Sequence, residues 1–158
     1  MTRTIVRLAV LGAGLALAAL AAAGASPDFS GTWVLNNQKG KNLGMVAAVK
    51  ETAVIAQTAA RLTIDFTATF MEDTTQRQVS YDLTGQPVSN ENAMGERAET
   101  VARWDGAKLV VTWTSEGAVA GTKVVKTETR TLSADRRTMT VVNERPNKEP
   151  MELVYEKK

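Results

Sequence analysis

The sequence has neither cysteine nor histidine among its 158 residues. Without histidine there is no Ser-His-Asp or Cys-His nucleophile, and no imidazole can act as a general base. Zinc, copper and haem sites lose their usual ligands as well. We therefore expect a protein that is not an enzyme and that has no metal site and no cofactor. Without a disulfide, its fold depends on the packing of the core.

An excess of charge of either sign is also missing. The chain has 19 basic and 17 acidic residues, and the first 25 residues contain Arg3 and Arg7 but no acidic residue. The rest of the chain therefore carries equal numbers of positive and negative side chains, 17 of each. This balance gives no electrostatic support for binding nucleic acid or an anionic membrane.

The first 25 residues have the pattern of a signal peptide. Arg3 and Arg7 give a positive start, residues 8–25 carry no charge, and Ala23-Gly24-Ala25 has the small residues that signal peptidase accepts. We predict cleavage after Ala25, which leaves residues 26–158 as one domain, in the periplasm or secreted. The alternative is an uncleaved anchor, although nine alanines and three glycines make residues 8–25 a weak membrane span.

Alternation of apolar and polar residues predicts about nine strands after the leader. The pattern is clearest in residues 61–70, where Leu62, Ile64 and Phe66 lie on one face of the predicted strand. The predicted strands cover residues 32–36, 52–58, 61–70, 76–83, 96–104, 108–114, 123–132, 138–143 and 151–156.

Two segments give a weaker pattern. For residues 44–50 we predict a short helical or irregular cap, followed by the strand 52–58; a longer helix through Ala60 is the alternative, because alanine and valine recur there at helical spacing. Residues 88–95 are polar and are predicted to form a loop.

Short strands joined by hairpin turns predict an all-β protein with one up-and-down antiparallel barrel of about 8–10 strands. A meander in chain order leaves two bare edges, which pairing of the first strand with the last would remove. An odd number of strands would make that closing pair parallel. We therefore expect one assignment to be wrong, and residues 52–58 are the first suspect. Such a barrel is either packed solid or hollow.

The two ends of the predicted barrel resemble a known family. Phe29-Ser30-Gly31-Thr32-Trp33 is similar to the Gly-x-Trp opening of the calycin barrels, which include lipocalins and fatty-acid-binding proteins. Leu153-Val154-Tyr155-Glu156-Lys157 is similar to the closing Thr-Arg-x-Tyr-Glu-Lys strand of fatty-acid-binding proteins. The chain resembles most closely exported bacterial lipocalin-like proteins that share the Ser-Gly-Thr-Trp start.

This resemblance implies roles for four positions. Trp33 would plug the closed end of the barrel, Tyr155 would help to hold a ligand head group, and Arg130 would point inward beside it. The family's second arginine corresponds to Leu153 here, so a ligand carboxylate would lose its main bidentate partner. A neutral or less polar ligand fits that change better.

The residues themselves leave two interpretations open. Leu109, Val111 and Trp113 share one strand face, which is either solid core or the wall of a cavity. Arg130 either faces inward with Glu128 and Lys126 or faces solvent. In the second case, the inward side chains are those of Val125, Thr127, Thr129 and Thr131. The candidate ligand-binding residues are Tyr155, Arg130, Trp113, Val111, Leu109, Leu153 and Phe66.

The function that these features favour is non-enzymatic binding of a small hydrophobic ligand inside the barrel. The alternative is a solid barrel that acts as an interaction module, such as a periplasmic protease inhibitor or an envelope assembly factor, through residues 88–95 or 116–121. We expect a small apolar molecule as the partner, no nucleic acid, and no membrane span after cleavage. The sequence identifies no protein partner.

Overall fold

The computed structural model describes residues 26–158, so the predicted signal peptide lies outside the described residues. The described chain has ten strands and one short 3-10 helix, Gly44–Ala48. The strands are β1 Gly31–Leu35, β2 Val49–Gln57, β3 Arg61–Phe70, β4 Asp73–Asp82, β5 Val88–Glu91, β6 Arg97–Asp105, β7 Lys108–Glu116, β8 Lys123–Leu132, β9 Thr138–Arg145 and β10 Lys148–Lys157. Within these residues, no helix is both long enough and apolar enough to cross a bilayer.

The strands form a single antiparallel sheet in the order β4-β3-β2-β1-β10-β9-β8-β7-β6-β5. Strand β1 pairs with both β2 and β10, and Leu35 lies opposite Tyr155. The predicted all-β up-and-down barrel and its pairing of first and last strands are therefore confirmed. Ten strands is an even number, so the closing pair is antiparallel.

The tenth strand, which the sequence did not predict, lies where the sequence predicts a loop. Residues 88–95 are not a loop throughout, because Val88–Glu91 forms β5 and pairs with β6. Residues 52–57 of the suspect segment lie in β2, and the longer helix through Ala60 does not form. A strand of four residues with only one apolar side chain is too short to show an alternation pattern, which explains the error.

The barrel closes at its last seam through a side chain. Strands β4 and β5 are the two ends of the hydrogen-bonded sheet, and Asn90 of β5 bridges them. Its Oδ1 accepts a hydrogen bond from the Ser80 backbone N–H at 2.9 Å, and its Nδ2 donates to the Ser80 carbonyl at 2.8 Å. Nδ2 also lies 2.7 Å from Thr100 Oγ1, which donates to the Val88 carbonyl. The side-chain amide of Asn90 therefore takes the place of one pair of backbone hydrogen bonds between β4 and β5.

We expect Asn90→Ala to lower the free energy of unfolding by about 1–3 kcal/mol, because it leaves the backbone N–H and carbonyl of Ser80 without partners. Urea denaturation followed by circular dichroism measures the change. Ser89→Ala, at an exposed position on the same strand, is the control and should change stability by less than about 0.5 kcal/mol. Equal stability of the two variants would contradict the role of Asn90 at the seam.

One end of the barrel is closed by aromatic residues. Trp33 is completely buried, and its Nε1 donates a hydrogen bond to the Phe29 carbonyl at 2.8 Å. Phe29 stacks on Trp104 with ring centroids 6.1 Å apart, so the segment before β1 packs under the barrel. Gln57 fixes this segment by accepting from the Phe29 N–H and donating to the Pro27 carbonyl. Trp33 is therefore buried at this end of the barrel, and the plug role that the resemblance implies for it stays a prediction.

Candidate ligand-binding site

The inward face of β8 is the charged one. Residues directly opposite each other in an antiparallel pair point to the same side. Arg130 pairs with Leu109 and Glu128 pairs with Val111, and both apolar partners are completely buried. Arg130 and Glu128 are only 3% and 9% exposed. Of the two orientations that the sequence leaves open, the one with Arg130 inside is therefore correct.

Arg130 forms a buried ion pair with Glu128, which lies on the same face of β8. Its Nε donates a hydrogen bond to Glu128 Oε1 at 2.7 Å, and its Nη1 lies 3.8 Å from Met139 Sδ. Burial lowers the pKa of Arg130, but Glu128 and the neighbouring phenols together raise it by more, so the guanidinium stays protonated. Such a pair is stable only while both charges are present, because each compensates the desolvation of the other.

Tyr81 completes this deep polar cluster. Its hydroxyl lies 3.4 Å from Glu128 Oε1, and its ring meets Trp113 edge to face with centroids 6.1 Å apart. Burial, and then the negative charge of Glu128, raise the pKa of Tyr81 well above its ordinary value. The phenol is therefore a neutral hydrogen-bond donor.

A second polar cluster lies between β2, β4 and β10. The Tyr155 hydroxyl donates to Glu51 Oε1 at 2.6 Å, and Arg77 Nη2 lies 3.9 Å from Glu51 Oε2. The Arg77 guanidinium also lies over the Phe66 ring, 3.9 Å from its centroid. Burial, and then Glu51, raise the pKa of Tyr155 well above its ordinary value. The hydrogen-bond partner of the Tyr155 hydroxyl is therefore the carboxylate of Glu51.

All seven candidate ligand-binding residues lie on strands that enclose the lumen. Five are buried: Tyr155, Arg130, Val111, Leu109 and Phe66. Trp113 and Leu153 are half-buried and pack against the core. Leu153 lies opposite Val141, which in turn lies opposite Arg130, so the three residues form one row across β8, β9 and β10. Their contact with a ligand stays a prediction.

Sequence reasoning missed Glu51 as a lumen residue. Glu51 precedes buried Ala53 and Ile55 by two and four positions in β2, so the period of two would have placed it inside once 49–57 was recognised as one strand. The alternation in β4 does place Tyr81 inside, but its contact with Glu128 joins β4 to β8 across the lumen and leaves no signal in local sequence.

Inward side chains are fully buried towards the closed end of the barrel and partly exposed towards the other end, which we call the open end. A single cluster of buried side chains, including Trp33, Leu62 and Met139, occupies the closed half. Towards the other end, inward side chains are only half-buried, among them Ala68 and Trp113. The turns at this open end also carry exposed apolar side chains: Met45, Met71, Met94 and Val119.

Two clefts lie outside the lumen. One, of about 400 Å³, is at the closed end and is lined by residues such as Asp28, Gln57 and Trp104. The other, of about 370 Å³, lies along β5–β8 and is lined by residues such as Glu99 and Thr114. A ligand inside the barrel therefore uses the open half or displaces lumen side chains.

Comparison with solved structures identifies the architecture. The REP1-NXSQ fatty acid transporter superposes with a TM-score of 0.64 and 18% identity, over 83% of this chain and 96% of that one. The fold is that of the fatty-acid-binding-protein-like calycin barrels. The wild-type fluorescent protein UnaG gives 0.66 and 17% over 82% and 97% of the two chains, and human cRBP IV gives 0.64 and 14% over 84% and 99%. No protein-family model and no curated protein sequence matches the chain.

Proposed function

We propose that this protein is an exported, non-enzymatic carrier that binds a small hydrophobic molecule in the open half of its barrel. The observation that carries the proposal is the set of half-buried inward side chains at that end, which includes Ala68, Trp113 and Leu153. Apolar area that a ligand removes from water there contributes about 25 cal/mol per Å². The phenols of Tyr81 and Tyr155 supply polar groups that orient it.

Three further points support the proposal. One structural neighbour is a fatty acid transporter, and it shares this barrel over 83% of the present chain. The lack of histidine and cysteine argues against acid–base and nucleophilic chemistry. The leader pattern of residues 1–25 supports export to the periplasm or beyond, and the purified native protein should then begin at Ser26.

We expect Ala68→Trp to weaken binding of an apolar ligand about tenfold or more, because an indole at this inward position fills the open half of the lumen. Titration with the neutral dye Nile red, followed by its fluorescence, measures the affinity. Thr67→Trp, which adds the same side chain at the exposed neighbouring position, is the matched control and should bind as the wild type does.

The interaction module remains the second candidate, because the closed half is filled and the cleft along β5–β8 faces outward. Native mass spectrometry of protein from its own host distinguishes the two functions. A small apolar mass that is lost on delipidation supports the carrier. An unliganded barrel in complex with another protein, together with equal dye binding by Ala68→Trp and Thr67→Trp, contradicts it.

A further inference from the structure

Two inward cations near the open end have no acidic partner. Lys126 lies opposite Trp113, on the same face of β8 as Glu128. Arg145 lies two residues beyond Asn143, which is opposite Glu128, so it is on the inward face of β9. Within the part of the chain that the structure describes, neither cation belongs to an ion pair, and the buried Nε of Arg145 has no hydrogen-bond partner.

The strand register brings these two cations together. Thr127 lies opposite Glu144, and the next residues towards the open end are Lys126 on β8 and Arg145 on β9. Their side chains are therefore neighbours on the inward face, and both are only partly exposed. Like charges at opposite positions of a strand pair destabilise it. A bound anion would remove that repulsion.

The charge of the lumen is also unbalanced at this end. The two inward acids are already matched, since each of them lies in an ion pair with an arginine: Glu128 with Arg130 and Glu51 with Arg77. Lys126 and Arg145 therefore add two positive charges that no inward acid offsets, although residues 26–158 contain equal numbers of basic and acidic side chains. A cleft with an excess of one sign of charge attracts ligands of the opposite sign.

We propose that Lys126 and Arg145 form an anion-binding subsite at the open end, which holds the head group of an anionic amphiphile while its apolar tail lies in the lumen. A phosphate monoester suits the subsite well, because it carries about 1.5–2 negative charges at neutral pH and has three acceptor oxygens. The guanidinium can donate to two of them as a fork, and the ammonium binds as a point charge. The inference rests on the proposed function, since it names the class of ligand for the same lumen.

This subsite is separate from the positions that the family resemblance implies. Lys126 lies four residues from Arg130 along β8, which is about 13 Å nearer the open end. A head group held there stays partly in contact with water, so that it loses less hydration than a charge buried beside Arg130 would. Trp113, opposite Lys126, offers apolar surface to the tail.

The test compares dodecyl phosphate, dodecanoate and dodecanol as competitors of Nile red at neutral pH. The wild type should bind dodecyl phosphate about tenfold or more tightly than dodecanol, because hydrogen bonds between charged groups are stronger than neutral ones. Dodecanoate should also bind more tightly than dodecanol, and the order of the two anions identifies the head group that the subsite prefers.

Arg145→Gln and Lys126→Gln each remove one charge but keep a hydrogen-bonding group. Each should weaken binding of dodecyl phosphate about tenfold and leave the affinity for dodecanol nearly unchanged. Lys50→Gln is the matched control, because it removes the same charge from an exposed position on the outer face of β2, near the same end of the barrel. This variant should keep the wild-type ratio of affinities.

The outcomes separate this inference from the proposed function. Equal binding of dodecyl phosphate and dodecanol by the wild type overturns the subsite and leaves the carrier intact, as does unchanged phosphate affinity in both subsite variants. A wild type that binds Nile red but none of the three competitors has the same meaning. A wild type that fails to bind Nile red overturns the carrier itself. If one subsite variant does not fold, the other variant and the wild-type ratio decide the question.

Discussion

Replacing Arg130 with methionine is expected to lower the free energy of unfolding by about 3–5 kcal/mol. The substitution keeps the length and the apolar stem of the side chain but leaves the carboxylate of Glu128 without its cation. Tyr81, at 3.4 Å, supplies only a weak neutral hydrogen bond to that carboxylate. Urea denaturation of the variant and the wild type at neutral pH measures the difference.

The double variant Arg130→Met with Glu128→Leu separates the cost of an unpaired charge from the worth of the pair. Because both charges are then absent, most of the lost stability should return. Arg103→Met, at an exposed position on β6, is the control and should stay within about 0.5 kcal/mol of the wild type. If Arg130→Met alone lowers the free energy of unfolding by less than about 1 kcal/mol, Glu128 is hydrated in the folded lumen.

The closure of the barrel could be predicted from sequence because its long strands alternate over many residues. In β3 the buried Leu62, Ile64 and Phe66 recur at every second position, and a shift of one residue would expose all of them. Trp33 and Tyr155 lie on the first and last strands, and removal of the two bare edges of the meander predicts that these strands pair. Strand β5 escaped prediction because Val88–Glu91 depends on pairing with β6 and on the Asn90 bridge to β4.

The candidate site was harder to predict than the fold, and β8 shows the reason. Its inward face carries Glu128 and Arg130, whereas its outward face carries Val125 and threonines that usually favour a half-buried strand. The rule that apolar residues lie inside therefore points the wrong way here. Only the pairing with buried Leu109 and Val111 determines which face is inside, and pairing register is not contained in a single strand.

Alkaline pH should destabilise the barrel steeply through its two tyrosines. Tyr81 and Tyr155 are the only tyrosines in the chain, and burial followed by a neighbouring glutamate raises the pKa of each. The stabilisation is complete below the unfolded tyrosine pKa of about 10, and it is lost as the pH rises, because the unfolded chain then releases protons that the folded chain retains. With two such groups, the free energy of unfolding should fall by about 2.7 kcal/mol for each pH unit above that value.

Two measurements check this expectation. Tyrosinate absorbance should stay absent above pH of about 10 while the barrel is folded, and both phenols should ionise together when it unfolds. Tyr81→Phe removes one titrating group, so the slope of stability against pH should fall by half while stability at neutral pH changes little. If Tyr81 ionises near its ordinary pKa in the folded protein, it is not buried beside Glu128. The same result for Tyr155 would contradict its burial beside Glu51. In either case the acid would not lie inside the lumen.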